Sequence, residues 1–393
     1  MNFKVKTHNA IADTGLTRLK DGNFSVSDSE KDPDAIILRS YKLPVEELND
    51  SLKAVARAGA GYNNVPVEEC SEKGVVVFNT PGANANAVKE IVLAGLLMSS
   101  RGIYAGANFV NKIDGVDSAD LKAHIESGKK DFKGRELKGA MLGVVGMGAI
   151  GAQVAGMGVF LDMEVIGYDP AITVEAAWKL PNNVKRTDNL KNILANSDYV
   201  TLHVPAVEAT RNLIDKSMLE ACKPGLKLIN FARDEIVDSS AVIGALESGQ
   251  LGAYVTDFAD LTLIERAKKF GDVIILPHIG ASTKQAEENC SVMAADQLKD
   301  YLENGNIKNS VNFPELIEER QSDFRLTLSN KNVAGMIGKI TTILAENNIN
   351  IVEMINKSRD EIAYNVIDLE SEPSKKVIAD LEALENVINV RAI

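Results

Sequence analysis

Short apolar runs alternate with segments of helical period along most of the chain. Runs at 35–38, 55–58 and 75–78 read as strands ending in turns. A helical pattern follows over 84–100, with Asn84 available as its cap. Residues 101–137 are polar and weakly periodic. A second strand–helix series then begins, with strands expected at 142–145, 165–168, 199–204, 226–231, 252–256 and 273–276. A long helix is expected over 281–302. Such alternation predicts parallel sheets covered by helices, and the second series suits a doubly wound (Rossmann) sheet. The pattern changes at VNFPELIEERQ, 311–321, where proline and clustered charges suggest a linker, placed at 313–321. Strands at 324–328, 349–356, 362–369 and 387–392 follow, with helices at 335–347 and 375–384. That order, βαββαβ, predicts a ferredoxin-like unit. The expected domains are 1–100 completed by 281–312, then 101–280, and finally 322–393.

Composition adds limits. A chain of 393 residues is too long for one ordinary core, and 45% hydrophobic with 25% charged residues is globular composition. The net charge of −12 argues against a nucleic-acid partner. Any anionic substrate must be held by a local basic pocket. The longest apolar run, 91–98, is too short to cross a membrane, and the N-terminus lacks a secretory apolar core. A cytoplasmic protein without a membrane partner is expected. Cys70, Cys222 and Cys290 lie far apart, with no metal-ligand spacing and no disulfide framework. Inert thiols and no metal site are expected.

The glycines of GMGAIG, 146–151, follow an apolar run and open a helical pattern. This context points to a dinucleotide site. Gly146 allows the tight turn, Gly148 lets a pyrophosphate approach the helix N-terminus, and Gly151 lets helix and strand pack closely. Asp169 closes the next strand, where its carboxylate can accept from ribose hydroxyls and repel a 2′-phosphate, favouring NAD over NADP. The plainer reading of Asp169 is a helix cap. Four histidines are present: His8, His124, His203 and His278. His8 and His124 read as solvated. His278 and Arg233 each follow a predicted strand, where α/β sites lie. An arginine there can grip a carboxylate in two-pronged fashion, and a histidine can move a proton near neutral pH.

These motifs, with YDP at 168–170, HVP at 203–205, NFARDEIVD at 230–238, VTDF at 255–258 and PHIGAST at 277–283, resemble the D-isomer-specific 2-hydroxyacid dehydrogenases. ARAGAGYNNV at 56–65 and NTPGANANAVKE at 79–90 resemble that family's substrate-domain signatures, and 322–393 resembles an ACT domain. The resemblance implies a flavodoxin-like substrate domain beside the Rossmann domain. It implies NAD held by Gly146, Gly148, Ala149, Ile150, Gly151, Asp169, His203, Pro205, Thr210, Ala232, Asp257 and Gly280, with Asp257 on the nicotinamide carboxamide. It further implies His278 as the acid/base and Arg233 as the carboxylate-binding cation. Gly59 and Ala60 would offer N–H groups to the carboxylate, and Arg57, or Arg39, would hold a phosphate. Together with the ACT-like tail this implies D-3-phosphoglycerate as substrate, oxidised at the entry to L-serine synthesis by a homodimer or homotetramer. Another D-2-hydroxy acid, or a catalytically weak NAD sensor, are the alternatives.

Two departures stand out. The family's histidine-pairing Glu falls on Thr262, flanked by Asp260 and Glu265, and Glu265 is the expected replacement. The family's Arg-Gly-Gly is Arg233-Asp234-Glu235. In the ACT-like unit, Asn330, Asn332 and Asn350 are the candidate ligands of an L-serine effector. An amide offers both donor and acceptor to a zwitterion. The plainer reading is that Asn330 and Asn332 shape a turn.

Overall fold

The computed structural model describes residues 2–20, 22–178 and 180–393, which separate into two compact units. One comprises the chain up to Asn84 together with Lys284–Ile393, and the other is Ala85–Thr283.

The first unit opens with β1 (Phe3–Thr7), β2 (Phe24–Ser27), β3 (Ala35–Leu38), β4 (Ala54–Arg57) and β5 (Val76–Phe78). They pair in the order β2-β1-β3-β4-β5, all parallel, the flavodoxin-like arrangement. All four residues of β3 are fully buried, so β3 reads as a continuous apolar run. Strands β1 and β2, FKVKT and FSVS, alternate with polar residues and were not anticipated. The helix Lys284–Asn304 lays Ala294, Ala295, Leu298 and Leu302 against Val5, Ile37 and Ala56.

The second unit holds β6 (Met141–Val145), β7 (Glu164–Tyr168), β8 (Val184–Arg186), β9 (Tyr199–Leu202), β10 (Leu226–Asn230), β11 (Leu251–Thr256) and β12 (Val273–Ile275). Their order is β12-β11-β10-β9-β6-β7-β8, again all parallel, so strand order reverses between β6 and β9. Strand β8 was not anticipated, because this three-residue edge strand, VKR, buries none of its side chains fully. The helix Ala85–Ser100 belongs here rather than with residues 1–84, correcting the expected boundary at 100. Its Val88, Val92 and Leu96 pack with Leu142, Val144 and Ile229. Among the described residues no helix is long and apolar enough to cross a membrane.

The C-terminal part of the first unit forms β13 (Phe324–Lys331), β14 (Ile351–Arg359), β15 (Ile362–Leu369) and β16 (Val387–Ala392). The antiparallel order is β14-β15-β13-β16, as the ferredoxin-like reading requires. Helices Met336–Glu346 and Lys375–Glu382 cover one face through Ile340, Leu344, Val377 and Leu381. Residues 313–321 do not form a free linker. Phe313 and Leu316 are 1% exposed and lie in the core of the first sheet, and Ile307 bridges Leu316. Two large apolar side chains on so short a segment gain more from burial than from remaining in water.

Candidate active site

The Gly-rich turn sits where the second sheet reverses its order, between β6 and β9. Gly146 has φ +91°, and a Cβ there would lie 2.5 Å from the His203 carbonyl. A Cβ on Gly151 would lie 1.8 Å from the Gly146 carbonyl, whereas one on Gly148 would meet nothing within 4 Å. The first and third glycines are therefore required by the fold. The second leaves open space at the start of the helix Ala149–Phe160, as close approach of a pyrophosphate would need. Asp169 turns onto this loop, accepting from Met147 N at 2.8 Å and Ala171 N at 2.9 Å.

The loop after β9 closes on itself. Thr210 Oγ1 donates to the Pro205 carbonyl at 2.6 Å and accepts from Val207 N. His203 Nε2 lies 3.0 Å from Thr201 Oγ1, a partner that sequence reasoning missed. Burial pushes the His203 imidazole down to about 3, so it is neutral at physiological pH. The unfolded chain binds a proton near pH 6.5 that the folded one refuses. Stability is thus expected to fall as pH drops from about 6.5 toward 3. Glu47, held at about 2, adds its own loss of stability as pH falls from about 4.5 toward 2. Urea midpoints at pH 7, 6 and 5 check this, and His203→Gln should flatten that part of the profile.

Strand β10 delivers Arg233. Asn230, fully buried, fixes the turn: its amide accepts from Ala232 N at 3.1 Å and donates to the Arg233 carbonyl at 2.8 Å. This positioning residue was also missed, although it stands inside the NFAR motif. Arg233 Nη1 donates to the Ala232 carbonyl at 2.6 Å. A hydrogen bond with Asp234 pushes the Glu235 carboxyl up, against the pull of Arg233. The cation therefore stands beside two carboxyl groups that hold each other.

His278 follows β12 with φ +52°, in the left-handed region that few non-glycine residues adopt, though histidine enters it more often than most. Asp257 holds it there. The buried carboxylate accepts from Ile279 N at 2.8 Å and Gly280 N at 2.7 Å, and the Asp257 carbonyl accepts from His278 N at 3.2 Å. A Cβ on Gly280 would come 2.9 Å from Asp257 Oδ2. Asp257 thus positions the histidine loop. The His278 ring meets Phe258 edge-on, centroids 5.1 Å apart. The expected pairing with Glu265 is not present. Glu265 is exposed on the helix Leu261–Phe270, two residues and some 200° around from buried Leu263. Asp260 caps that helix, accepting from Leu263 N and from Thr262 Oγ1. Among the described residues no carboxylate bonds to His278.

In the first unit, Arg57 ends β4 and donates from Nε to the Arg39 carbonyl at 3.1 Å. Its guanidinium lies over Gly59, where a Cβ would overlap Nη1 at 1.6 Å. The Gly59 N–H is spent on the Arg57 carbonyl, while the Ala60 carbonyl accepts from Asn79. Arg39 pairs with Glu287 at 2.7 Å. His8 is not solvated as expected, its side chain being 14% exposed and bonded to Glu47. His124 stacks on Phe109. All three cysteines are buried, and among the described residues no cluster could hold a metal ion.

The three asparagines of the C-terminal unit have different environments. Asn330 is buried; it donates to the Lys331 carbonyl and accepts from Asn365, which in turn accepts from Asn356. Its amide shapes the loop and is not offered to a ligand, which corrects the expectation for that residue. Asn332 and Asn350 are exposed, Asn332 reaching the Asp360 carbonyl at 3.3 Å.

Residues 95–280 match the D-isomer specific 2-hydroxyacid dehydrogenase NAD binding domain, and residues 324–386 match the ACT domain. The chain is similar to the D-3-phosphoglycerate dehydrogenase of Haemophilus influenzae, 31% identical over 376 residues, covering 92% of this chain and 87% of that one. It is 32% identical to the Methanocaldococcus jannaschii D-3-phosphoglycerate dehydrogenase over 91% of this chain and 64% of the other. Among solved structures it is similar to the NAD⁺-bound 3-phosphoglycerate dehydrogenase of Entamoeba histolytica, at TM-score 0.64 and 26% identity, covering 80% of this chain and all of that one. By its family model and by its similarity to these enzymes over most of its length, the chain belongs to the family of D-isomer-specific 2-hydroxyacid dehydrogenases.

Proposed function

We propose that this enzyme oxidises D-3-phosphoglycerate to 3-phosphohydroxypyruvate, reversibly and in the cytoplasm, and that L-serine is its effector. The observation that carries the reading is similarity to enzymes of that name through both the dehydrogenase and the ACT regions, over 92% of this chain. The Gly-rich turn, open at Gly148, and the carboxylate of Asp169 fit a dinucleotide. Bound NAD supplies the acceptor for the hydride leaving C2.

The chain's own residues supply the rest. His278 takes the C2 hydroxyl proton in oxidation and returns it in reduction. Arg233 holds the carboxylate and stabilises charge developing on the oxygen. The Ala60 N–H is a second carboxylate donor. Arg39 and Arg57 hold the phosphate, Arg57 being braced on the Arg39 carbonyl. Asp257 and Asn230 position the loops of His278 and Arg233. Asn332 and Asn350 contact the effector. The test is steady-state turnover of 3-phosphohydroxypyruvate with NADH, beside hydroxypyruvate, pyruvate and glyoxylate, with NADPH as the alternative donor and with millimolar L-serine. Preference for the phosphorylated substrate and NADH, with inhibition by serine, is expected. Equal use of unphosphorylated acids would refute the substrate. A histidine without a carboxylate partner favours one other reading, a slow NAD-binding sensor, which NADH binding without turnover would establish.

A further inference from the structure

The first sheet reverses its strand order between β1 and β3. Open parallel sheets take ligands at the carboxyl ends of the strands at such a point, because the connections diverge there and leave a crevice. Here the two strand ends are tied into one hub. Asn9, φ +67°, follows β1, and its Oδ1 accepts from Ser40 N at 3.2 Å and Tyr41 N at 2.6 Å just beyond β3. From the other side Asn64 Nδ2 donates to the Arg39 and Tyr41 carbonyls at 3.1 and 2.6 Å. Arg57 Nε shares the Arg39 carbonyl.

These bonds already shape the 39–41 turn. A second layer fixes it further. The Tyr41 hydroxyl donates to Glu47 Oε1 at 2.5 Å, while Glu47 Oε2 accepts from Lys6 Nζ at 2.8 Å and His8 Nε2 at 2.9 Å. The His8 ring stacks on Tyr41, centroids 3.9 Å apart and planes within 5°. Burial alone would push the Glu47 carboxyl up, but its bonds to Lys6, Tyr41 and His8 outweigh that and hold it at about 2. Ordering three polar side chains around one carboxylate costs conformational entropy, and of the three only Tyr41 also packs against an apolar core. The residue whose backbone gains is Arg39, two positions before Tyr41 on the same turn, with Arg57 braced on its carbonyl and the Arg39 guanidinium held by Glu287 at 2.7 Å. In a chain of net charge −12, a cation held in place spares the substrate anion the cost of ordering it.

We propose that Glu47, acting through Tyr41, is a positioning residue that fixes the 39–41 turn for recognition of the substrate's distal phosphate. This rests on the assignment of Arg39 and Arg57 to that phosphate. Tyr41→Phe removes the hydroxyl and leaves the ring stack; Glu47→Ala removes the hub. In the full-length enzyme, each should raise KM for 3-phosphohydroxypyruvate about tenfold, the size of one charge-assisted hydrogen bond, with kcat within about twofold. KM for hydroxypyruvate, which lacks the phosphate, should not move. A purely structural role would shift both substrates alike, and that result, or no shift in either variant, would overturn the proposal. Calorimetric titration with inorganic phosphate separates this from the assigned activity. Weaker phosphate binding in the variants supports the hub even where wild type fails to turn over the phosphorylated substrate, which would remove the activity instead. Equal phosphate affinity in all three proteins, or no phosphate binding to wild type, overturns the hub.

Discussion

Replacing His278 is expected to lower kcat by a factor of 10² to 10⁴, the usual loss when a positioned acid/base is removed, with NADH affinity nearly unchanged. The geometry suggests how to make this test clean. His278 sits at φ +52°, where alanine would be strained. Asparagine tolerates that conformation and cannot shuttle the proton. His278→Asn should therefore keep the loop in place, because its anchors are the Asp257 bonds to Ile279 N and Gly280 N rather than the imidazole. His278→Ala and His278→Asn should fall equally in kcat. NADH affinity, read by fluorescence titration, should hold because the Gly146–Gly151 contact and Asp169 are untouched. Either variant retaining more than a tenth of wild-type turnover would remove His278 from the mechanism. Glu265→Gln, by contrast, should leave turnover unchanged, since Glu265 is exposed and lies off the histidine.

The largest stability effect is expected at Arg325. Its side chain is fully buried, and all five of its N–H donors are satisfied. Two go to Asp368, at 2.6 and 2.9 Å. The other three reach the carbonyls of Asn304, Glu318 and Glu319 at 3.0 to 3.1 Å. Asp368 also accepts from Gln321 N. One guanidinium thus fastens the end of the helix Lys284–Asn304 and the 313–321 segment to β13 and β15. The Tyr364 hydroxyl on the Gly305 carbonyl and Arg391 over the Tyr301 ring hold the same face. Arg325→Met leaves the buried Asp368 carboxylate with no cation and only the Gln321 N–H, takes the guanidinium from three carbonyls, and should cost roughly 3–5 kcal/mol. Urea denaturation at pH 7 measures this. Arg325→Met with Asp368→Leu removes the stranded charge but not the stranded carbonyls, so it should recover only part of the loss. Full recovery would mean that the three backbone bonds contribute nothing.

Where a segment was legible in the sequence, local chemistry alone constrained it. The buried strands β3, β6 and β9 to β12 read as apolar runs because both faces are covered. Strands β1, β2 and β8 did not, because they alternate or lie at an edge. The βαββαβ tail carries its own period and turn residues, so its elements were placed within a few residues. GMGAIG was readable because each glycine answers a short-range demand: a positive φ, an open helix start, and a helix–strand contact. Arg233 and His278 could be named as candidates from their places after predicted strands, and each does follow a strand, β10 and β12.

What the sequence could not settle depended on direction and packing between distant residues. Glu265 lies 13 positions before His278, but helical rotation turns it to solvent once Leu263 takes the core. Asn330 is spent on Asn365, a partner 35 residues away across two paired strands. The charges of 313–321 suggested a linker, yet Phe313 and Leu316 find a core built mostly from residues before 84 and within 284–307. The helix Ala85–Ser100 is continuous with the first series in pattern and joins the second unit because its apolar face fits that core. His8, one polar residue after an unnoticed strand, became part of a hub only when parallel pairing of β1 with β3 brought it to Tyr41 and Glu47. Periodicity and turn chemistry are properties of neighbours in the chain and survive in the sequence. Partnership across a sheet or around a helix is a property of the fold, and only the tertiary structure decided it.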